Sequence, residues 1–511
     1  MNSGDGKNSS AIFGKLGVLG NANLFLINPN GIVFGKNASL DINGSFSATT
    51  SPSILFNNGF EFSATNPQAP PLLKINLVPG LQYASQPIGN INNAGNLNVD
   101  SGKDISLFGN TVSSTGILNA PGGTIYILGN IISLEDNAHI DVSSQLRGGK
   151  VFIGGEFQGI GNTPTAKHTF IGSDVSINAD AINFGNGGNV IVWADEVTGF
   201  YGKISARGGS LGGNGGLVEV SGKQHLIFRG NVDTFAPIGN TGMLLLDPTD
   251  IIIANGSGDD AGDGEDRFIG DNSGILGSIL SLPLSDIEDT APTTIYESEL
   301  ENLSGNTNIV LQATNHITLQ DLADDELNLS PGTGFISFAA NVDNGSIGSF
   351  TMEDTSDTIV TNGRDIEISG TKLVLGSIDT SIEAGNGGAI TLKAGGDIST
   401  ASLDSSSIPK KGDVGNGGAI TLKAGGDIST ARLESSSFSE KGDAGNAGEI
   451  TLEALGSITV ENVFSDSYAE VGDTANGSAI TLKAGGEFYN KVRLFLLFRK
   501  RRCRKCRSNY S

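Results

Sequence analysis

The sequence GNGGAITLKAGGDIST starts at Gly385 and occurs again, unchanged, at Gly415. Related copies, GNAGEITLEALGSIT and ANGSAITLKAGGEF, start at Gly445 and Ala475, so the repeat advances in steps of 30 residues. A repeat of this length corresponds to one supersecondary unit per copy. Within each copy, apolar and polar residues alternate over short runs, which is the pattern of half-buried strands. We therefore expect each copy to form one coil of a solenoid.

Stacking these coils in register places equivalent residues above one another. Two apolar files would face inward, and an asparagine file would stand at one turn, where side-chain amides can form a ladder. The predicted files are Ile390, Ile420, Ile450 and Ile480; Leu392, Leu422, Leu452 and Leu482; and Asn386, Asn416, Asn446 and Asn476. The repeats thus predict an all-β fold, a right-handed parallel β-helix of the single-stranded, pectin-lyase-like kind.

Towards the amino end, four predicted strands each start after a pair of glycines. The glycine pairs are 26, 39 and 28 residues apart, and each is followed by two aliphatic residues at a spacing of two. If each pair opens one coil, the aliphatic residues form two inward ladders. The aliphatic pairs are Ile125 and Ile127, Val151 and Ile153, Val190 and Val192, and Val218 and Val220.

The segment NANLFLINPNGIVFGKNASLDINGSFSATT, Asn21 to Thr50, combines two-residue apolar alternation with strong turn signals. Pro29 presets φ for a turn, and the residues after it, Asn30 and Gly31, tolerate left-handed conformations. The segment therefore reads as strand, turn, strand, turn and strand.

The stretch from residue 51 to about residue 90 is rich in proline. Because proline cannot donate a ladder hydrogen bond, we expect an excursion from the regular body. Phe56, Phe60 and Phe62 are expected to cover its flank.

The segment from Asn21 to Thr50 resembles the second half of the secretion domain of filamentous haemagglutinin-type exoproteins, the cargo of two-partner secretion. The pentapeptide NPNGI follows an apolar strand and precedes FG, as it does in that family. The form VLGNANLFLINPNGI is associated with cyanobacterial members. In this chain the predicted secretion motif consists of Asn28, Pro29, Asn30, Gly31 and Ile32. A turn that merely shapes the domain would use the same residues.

The resemblance implies export through an outer-membrane two-partner secretion transporter and folding outside the cell. It further implies a secreted or surface-exposed, non-catalytic adhesin whose ligand, on a host or neighbouring cell or a glycan, is unknown. Alternatives are a β-helix polysaccharide-degrading enzyme, a purely structural surface or matrix protein, and a non-functional gene fragment. In the family a signal peptide and an NPNL-type motif precede the matching stretch. Because neither is present here, we expect an amino-terminally truncated chain.

Composition and charge exclude some classes of function and of stabilising bond. The formal net charge is −24, and nine of the 31 Lys and Arg follow residue 490, so the acidic body should not bind nucleic acid. There are 74 Gly, and both Cys lie near the carboxyl end, so burial and hydrogen bonding must stabilise the body without disulfides. No apolar run is long enough to cross a membrane.

Five segments are predicted. They are 1–90, the carboxyl-side part of the secretion domain; 91–255, β-helix with diglycine strand starts; 256–380, β-helix with an acidic loop and a short helix; 381–490, the 30-residue repeats; and 491–511, an aberrant basic tail. The acidic loop, Gly256 to Asp266, lacks the spacing of known calcium motifs and is expected to be solvated. A short helix is expected at Thr293 to Gly305, because Tyr296, Leu300 and Leu303 would share one face of it. The tail is best explained as a frameshift or similar artefact.

We predict no catalytic, metal-binding or cofactor-binding residues, and no cofactor. Two acidic pairs are candidates for glycoside cleavage, which needs two carboxylates roughly 5 to 10 Å apart, but both are discounted. Asp195 and Glu196, beside Trp193, are neighbours at one strand end, so their side chains should diverge. Asp247 and Asp250 are explained by the turn at Pro248.

The four histidines show no metal-ligand spacing. They are His139, His168, His225 and His316. The tripeptides Lys411-Gly412-Asp413 and Lys441-Gly442-Asp443 are interpreted as turns of the repeat.

Overall fold

The computed structural model describes residues 8–55, 61–64, 87–258, 292–342, 347–408 and 414–495, and two short strands at 2–3 and 82–83. Strands make up 46% of the structure and helix 2%, and long parallel sheets stack as a right-handed parallel β-helix. The predicted fold class is therefore confirmed. The chain forms two compact units, residues 1–314 and 315–511, called here the amino-terminal and carboxyl-terminal units.

The strands of the amino-terminal unit are β1 Asn2–Ser3, β2 Ser10–Ile12, β3 Lys15–Gly17, β4 Leu24–Ile27, β5 Ile32–Phe34, β6 Ser39–Asp41, β7 Phe46–Thr49, β8 Ser53–Leu55, β9 Glu61–Ser63, β10 Gln82–Tyr83, β11 Ile91–Asn93, β12 Asn96–Asn98, β13 Ile105–Phe108, β14 Thr111–Ser114, β15 Ile117–Asn119, β16 Thr124–Leu128, β17 Ile131–Leu134, β18 His139–Asp141, β19 Lys150–Ile153, β20 His168–Ile171, β21 Ser176–Asn178, β22 Asn189–Ala194, β23 Val197–Phe200, β24 Lys203–Ser205, β25 Leu217–Gly222, β26 His225–Phe228, β27 Asn231–Asp233, β28 Met243–Leu246, β29 Ile251–Ala254, β30 Thr293–Tyr296 and β31 Asn308–Ala313. A 3₁₀ turn spans Phe157–Gly159, and helix α1 spans Glu297–Glu301.

The strands of the carboxyl-terminal unit are β32 Ile317–Leu319, β33 Glu326–Asn328, β34 Ile336–Ala340, β35 Ser349–Met352, β36 Thr358–Val360, β37 Ile366–Gly370, β38 Lys372–Val374, β39 Ser377–Asp379, β40 Ile390–Ala394, β41 Ile398–Asp404, β42 Ile420–Ala424, β43 Ile428–Glu434, β44 Ser437–Ser439, β45 Ile450–Ala454, β46 Ile458–Phe464, β47 Ser467–Ala469, β48 Ile480–Ala484 and β49 Phe488–Phe495.

In the amino-terminal unit each coil from β1 to β27 contributes one strand to each of three parallel sheets, and β28 and β31 extend the first of them. Sheet A has the order β1-β4-β7-β13-β16-β19-β22-β25-β28-β31, sheet B has β2-β5-β11-β14-β17-β20-β23-β26, and sheet C has β3-β6-β12-β15-β18-β21-β24-β27. Because consecutive strands in the chain belong to different sheets, the backbone winds around a narrow apolar core rather than folding back on itself.

The predicted inward ladders run along sheet A. Ile125 pairs with Val151, Val151 with Val190, and Val190 with Val218, and the second residue of each pair stacks in the same way. All of these side chains are fully buried. Burying a side chain of this size stabilises the fold by about 1.5 to 3 kcal/mol, so the two ladders contribute a large share of the core.

The diglycine starts allow successive backbones to approach closely. A Cβ placed on Gly188 would lie 2.1 Å from the carbonyl oxygen of Gly149, and one on Gly216 would lie 2.1 Å from that of Gly188. No side chain fits at such a distance. Glycine is therefore needed at these two positions because the coils stack closely, and not because the backbone has an unusual φ.

The proline-rich segment after Thr50 leaves the regular coil. β8 and β9 pair antiparallel, and so do β10 and β8. Phe62 packs with Phe25, Ile27 and Ile54 in one buried cluster, so this segment covers the outer face of β4. Phe62 thus has the covering position that the sequence predicts, while Phe56 and Phe60 lie outside the described residues.

In the carboxyl-terminal unit the 30-residue copies stack in register, as predicted. Ile390 pairs with Ile420, Ile420 with Ile450, and Ile450 with Ile480, and the leucine file follows the same register two residues on. The first three isoleucines are fully buried. In these coils one long strand replaces two short ones, since β38 and β39 both pair with β41.

The asparagine file is present, but its hydrogen bonds differ from the predicted amide ladder. Oδ1 of Asn386 accepts the backbone N–H of Asn416 at 2.9 Å, and Oδ1 of Asn416 accepts that of Asn446 at 2.8 Å. The same bond reaches Asn476 at 3.1 Å. Each side chain therefore bonds the backbone of the next coil, because the turn leaves that N–H free of the sheet ladder.

The helix prediction for Thr293 to Gly305 is wrong in its first part. Residues Thr293–Tyr296 form β30, which pairs in parallel with β29, and only Glu297–Glu301 are helical. Ladder hydrogen bonds and the full burial of Ile295 outweigh the local helical pattern. The buried Leu300 and Leu303 do lie on the inner side, as the pattern predicts.

Three other predictions concern segments that the structure describes only in part or not at all. The acidic loop from Gly256 is described only to Gly258, and the tripeptide at Lys411 lies outside the described residues. Across the predicted boundary at residue 490, β49 continues to Phe495 and pairs with β46. Residues 496–511 lie outside the description. In the described part of the chain, no helix has the length and apolar character needed to cross a bilayer.

Candidate functional site

The NPNGI segment forms the turn between β4 and β5. The N–H of Gly31 donates to the carbonyl oxygen of Asn28 at 3.0 Å, and the N–H of Asn30 donates to Oδ1 of Asn28, also at 3.0 Å. Gly31 has a φ of +116°, a conformation that residues with a Cβ rarely adopt. The order Asn-Pro-Asn-Gly is therefore dictated by the shape of this turn.

Asn28 joins the turn to the coil before it. Its side chain is only 1% exposed, and Nδ2 donates to the carbonyl oxygen of Asn8 at 3.1 Å and to Oγ of Ser10 at 2.8 Å. Its backbone N–H donates to the carbonyl oxygen of Thr49 in β7 at 3.0 Å. A buried amide with all of these partners fixes the register of three neighbouring segments.

Gly89 and Asn90 close the other side of the turn. The N–H of Ile32 donates to the carbonyl oxygen of Asn90 at 2.9 Å. A Cβ on Gly89 would lie 2.6 Å from the carbonyl oxygen of Pro29, so the two backbones are in direct contact. The turn is thus enclosed between coils. Ile32 is fully buried, Pro29 is half-buried, and Asn30 is exposed.

The five predicted motif residues therefore divide into two groups. Asn28, Gly31 and Ile32 build the coil, whereas Pro29 and Asn30 present surface at its edge. Only the second group is placed to contact another protein directly.

The acidic pair beside Trp193 does not form a two-carboxylate site. Asp195 accepts hydrogen bonds from Nε1 of Trp193 at 3.1 Å and from Oγ1 of Thr165 at 2.6 Å. Glu196 instead faces His168, whose Nε2 lies 3.1 Å from its carboxylate oxygen. The two side chains serve separate contacts, as expected of neighbours at the end of a strand.

Asp247 also pairs differently from the sequence-based candidate, which set it beside Asp250. Its Oδ2 accepts a hydrogen bond of 2.8 Å from Nε2 of Gln158. The backbone N–H of Gln158 donates to both carboxylate oxygens of Glu219, at 2.9 and 3.2 Å. One glutamine thus holds two carboxylates on the outer face of sheet A.

Glu219 is the principal residue that sequence reasoning missed. It is fully buried, and burial raises the pKa of its carboxyl to about 7, although the Gln158 N–H acts in the opposite direction. Burial raises the pKa of the Asp247 carboxyl as well. Because Glu219 has no exposed surface, a sugar cannot reach it in this arrangement, and the pair does not form an open glycosidase site.

A loop of residues 154–167, which includes Gln158, covers Glu219. Glu219 alternates with the buried Val218 and Val220, so sequence alone places it on the solvent side of the sheet. The only signal of a cover is the spacing of 39 residues between the second and third diglycine starts, against 26 and 28 for the others. The additional residues form the loop.

Two of the four histidines contact serine hydroxyls of the next coil. Nδ1 of His139 lies 2.7 Å from Oγ of Ser176, and Nδ1 of His316 lies 3.0 Å from Oγ of Ser349. Within the described ranges, the group of side chains that could hold a metal ion contains no histidine. It consists of Asp321, Asp354 and Asp357.

The second Lys-Gly-Asp tripeptide is a bend in the repeat. The N–H of Gly442 donates to the carbonyl oxygen of Val471, and Oδ1 of Asp443 accepts the N–H of Asp473 at 2.7 Å. The Asp443 carboxylate is therefore used in stacking coils, which supports the interpretation of this tripeptide as a turn.

Comparison with known proteins identifies one family. Residues 5–190 match the family model of the TPS secretion domain, a segment that extends from the first coils through the NPNGI turn to the start of β22. No curated protein matches the chain.

Proposed function

We propose that the chain is a two-partner secretion exoprotein whose partner is an outer-membrane transporter, because residues 5–190 match the model of the TPS secretion domain. Within this class the chain is a filamentous haemagglutinin-type adhesin, displayed at the outer cell surface or released, with no catalytic role. The proposal includes a cyanobacterial type of exoprotein, because the chain contains the form VLGNANLFLINPNGI. The TPS domain itself points to a family of non-enzymatic exoproteins.

The observation that carries the proposal is the position of the NPNGI turn within the matched domain. Asn28 bonds the preceding coil through Asn8 and Ser10, and Ile32 bonds the following coil through Asn90. A chain emerging from a transporter can form this turn early and then add coils to it, since each coil offers an unpaired edge strand to the next. Pro29 and Asn30 remain at the surface for recognition by the transporter.

The composition is better suited to presenting a binding surface than to catalysing a reaction. The chain is acidic and glycine-rich, and aromatic side chains such as Phe34 and Phe46 are buried in its core. The carboxylates that resemble a catalytic pair, Glu219 and Asp247, are held by Gln158 rather than open to solvent. An adhesin of this kind would bind a cell-surface or glycan ligand without cleaving it.

Export provides the direct test. The chain is placed behind a signal peptide and co-expressed with a two-partner secretion transporter, and the amount in the medium is measured for the wild type, Asn30→Ala and Gly31→Val. Asn30→Ala changes an exposed side chain, so a loss of export with unchanged stability would assign recognition to the turn surface. Gly31→Val should impair both folding and export. Equal export of all three proteins would remove the proposed role of the motif.

The adhesin role is tested separately from export. Purified wild-type chain is measured for binding to whole cells and to a glycan array, and for release of reducing ends from polysaccharides. Binding without release supports the adhesin. Release of reducing ends would favour the β-helix enzyme, and neither activity would favour a structural matrix protein.

A further inference from the structure

Two aspartate-rich turns lie next to each other in the carboxyl-terminal unit. One joins β32 to β33, and the other joins β35 to β36 in the adjacent coil. Leu319 pairs with Met352 before the turns, and Glu326 pairs with Thr358 after them. Because both flanking strand pairs are in register, the two turns are held one above the other.

Three carboxylates from these turns converge. Asp321, Asp354 and Asp357 each offer one oxygen, and these oxygens all lie within 4.8 Å of one another. Asp321 is exposed, Asp354 is half-buried and Asp357 has no exposed surface. The cluster therefore opens to solvent on one side and ends at a buried carboxylate on the other.

Asp357 has an unused oxygen at the bottom of this cluster. Its Oδ2 accepts the backbone N–H of Leu322 at 3.2 Å, whereas its Oδ1 is buried and has no hydrogen-bond partner among the described residues. A buried carboxylate oxygen without a partner destabilises the folded state. A positive charge at this position would satisfy that oxygen.

No basic side chain near in sequence supplies that charge. The chain has no Lys or Arg between Arg267 and Arg364. The Arg364 guanidinium is itself buried and donates to the carbonyl oxygens of Gly334 and Ser330, at 2.6 and 3.2 Å.

Asp354 is already arranged as an anionic ligand. Its Oδ1 accepts the N–H of Ser356 at 2.8 Å and the Oγ–H of the same residue at 2.7 Å. These bonds orient the carboxylate before any ion arrives, which reduces the entropic cost of binding.

We propose that Asp321, Asp354 and Asp357 bind one divalent cation, Ca²⁺ in preference to Mg²⁺, and that the ion links two successive coils. The donor set is entirely oxygen, which suits a hard cation and disfavours zinc. Ca²⁺ accepts irregular coordination and completes its shell with water at an open side, whereas Mg²⁺ needs near-octahedral geometry at shorter distances. If the protein works outside the cell, a dissociation constant on the order of 0.1 to 1 mM would suffice. The site itself does not depend on the proposed adhesin function.

Calcium binding to the full chain is measured by isothermal titration calorimetry with CaCl₂ and, separately, MgCl₂. The variants are Asp357→Asn, which keeps an acceptor for the Leu322 N–H, and Asp324→Asn as the control. Asp324 is an exposed carboxylate of the same turn outside the cluster, so the control makes the same change in charge. We expect Asp357→Asn to weaken one Ca²⁺ equivalent at least about tenfold and Asp324→Asn to leave it nearly unchanged.

Hydrogen exchange of the wild-type protein is a second measurement, which remains informative if the Asp357→Asn variant folds poorly. Adding CaCl₂ should slow exchange in peptides covering both turns, residues 320–326 and 353–358, and MgCl₂ at the same concentration should do so less. Loss of the same calcium equivalent in both variants, or unchanged exchange in both turns, would overturn the proposal. Export measurements do not enter this test, so its failure leaves the proposed function untouched.

Discussion

The backbone N–H of Gln158 donates a hydrogen bond of 2.9 Å to the carboxylate of Glu219, a residue 61 positions later in the chain. Through this bond the loop of residues 154–167 closes over sheet A and removes Glu219 from solvent. Burial raises the folded-state pKa of Glu219 to about 7, above its ordinary value of 4.5. Together with Asp247, which Gln158 also bonds and whose pKa burial also raises, Glu219 links the loop to pH.

The first prediction concerns this pH dependence. Between pH 4.5 and 7 the folded protein binds more protons at Glu219 than the unfolded chain does, so stability should fall as pH rises through this window and level off above it. The full effect is on the order of 3 kcal/mol. Glu219→Gln should make this dependence shallower, leaving the contribution of Asp247, and should raise stability at pH 8. Thermal unfolding and hydrogen exchange of the loop, at pH 5 and pH 8, measure it.

Asp174→Asn is a suitable control for Glu219→Gln, because Asp174 is exposed and the change removes one negative charge from the same unit. It should leave the slope of stability against pH as in the wild type. If Glu219→Gln shows the wild-type slope, the buried carboxyl does not control the loop.

The second prediction concerns the repeat core. Ile420 is fully buried between Ile390 and Ile450, so Ile420→Asp would bury a carboxylate without a partner at a cost of several kcal/mol. Thr421→Asp, one residue later and only half-buried, should cost far less. Limited proteolysis should cleave only the Ile420 variant between residues 385 and 480. Equal resistance of the two variants would contradict the stacked register.

The third prediction concerns the asparagine file. Oδ1 of Asn416 bonds the next coil by accepting the N–H of Asn446, so Asn416→Asp should keep this bond and Asn416→Ala should lose it. The loss should cost about 0.5 to 1.5 kcal/mol. The aspartate version of this contact already exists in the chain, where Asp397 Oδ1 accepts the N–H of Asp427 at 2.9 Å. Denaturant unfolding that ranks Asn416→Asp below Asn416→Ala in stability would instead favour a ladder of side-chain amides.

The fourth prediction concerns the NPNGI turn. Gly31→Val forces a β-branched residue to a φ of +116° and should destabilise the amino-terminal unit by about 1 to 3 kcal/mol. Gly14→Val is the comparison, since Gly14 lies in a nearby turn without a positive φ and has nothing within 4 Å of the position that a Cβ would occupy. Thermal unfolding should separate the two variants, and equal midpoints would show that the turn tolerates a side chain.

Sequence by itself determined the parts of this protein that repeat. The constant step of 30 residues placed Ile420 between Ile390 and Ile450, and the diglycine starts placed Val151 above Ile125. Parallel coils put equivalent residues directly over one another, so a period read along the chain becomes a contact in space. The NPNGI turn was equally accessible, because Gly31 is required by a conformation that four consecutive residues specify.

Tertiary structure alone decided the features that depend on irregular segments. Neither the cover that Gln158 forms over Glu219 nor the meeting of Asp321 with Asp354 and Asp357 follows from alternation within a strand. The same holds for Thr293–Tyr296, which became a strand because β29 offered a paired edge. In each case the environment of a side chain is set by a loop or strand tens of residues away. A local sequence pattern does not specify these contacts, because they join segments that are distant along the chain.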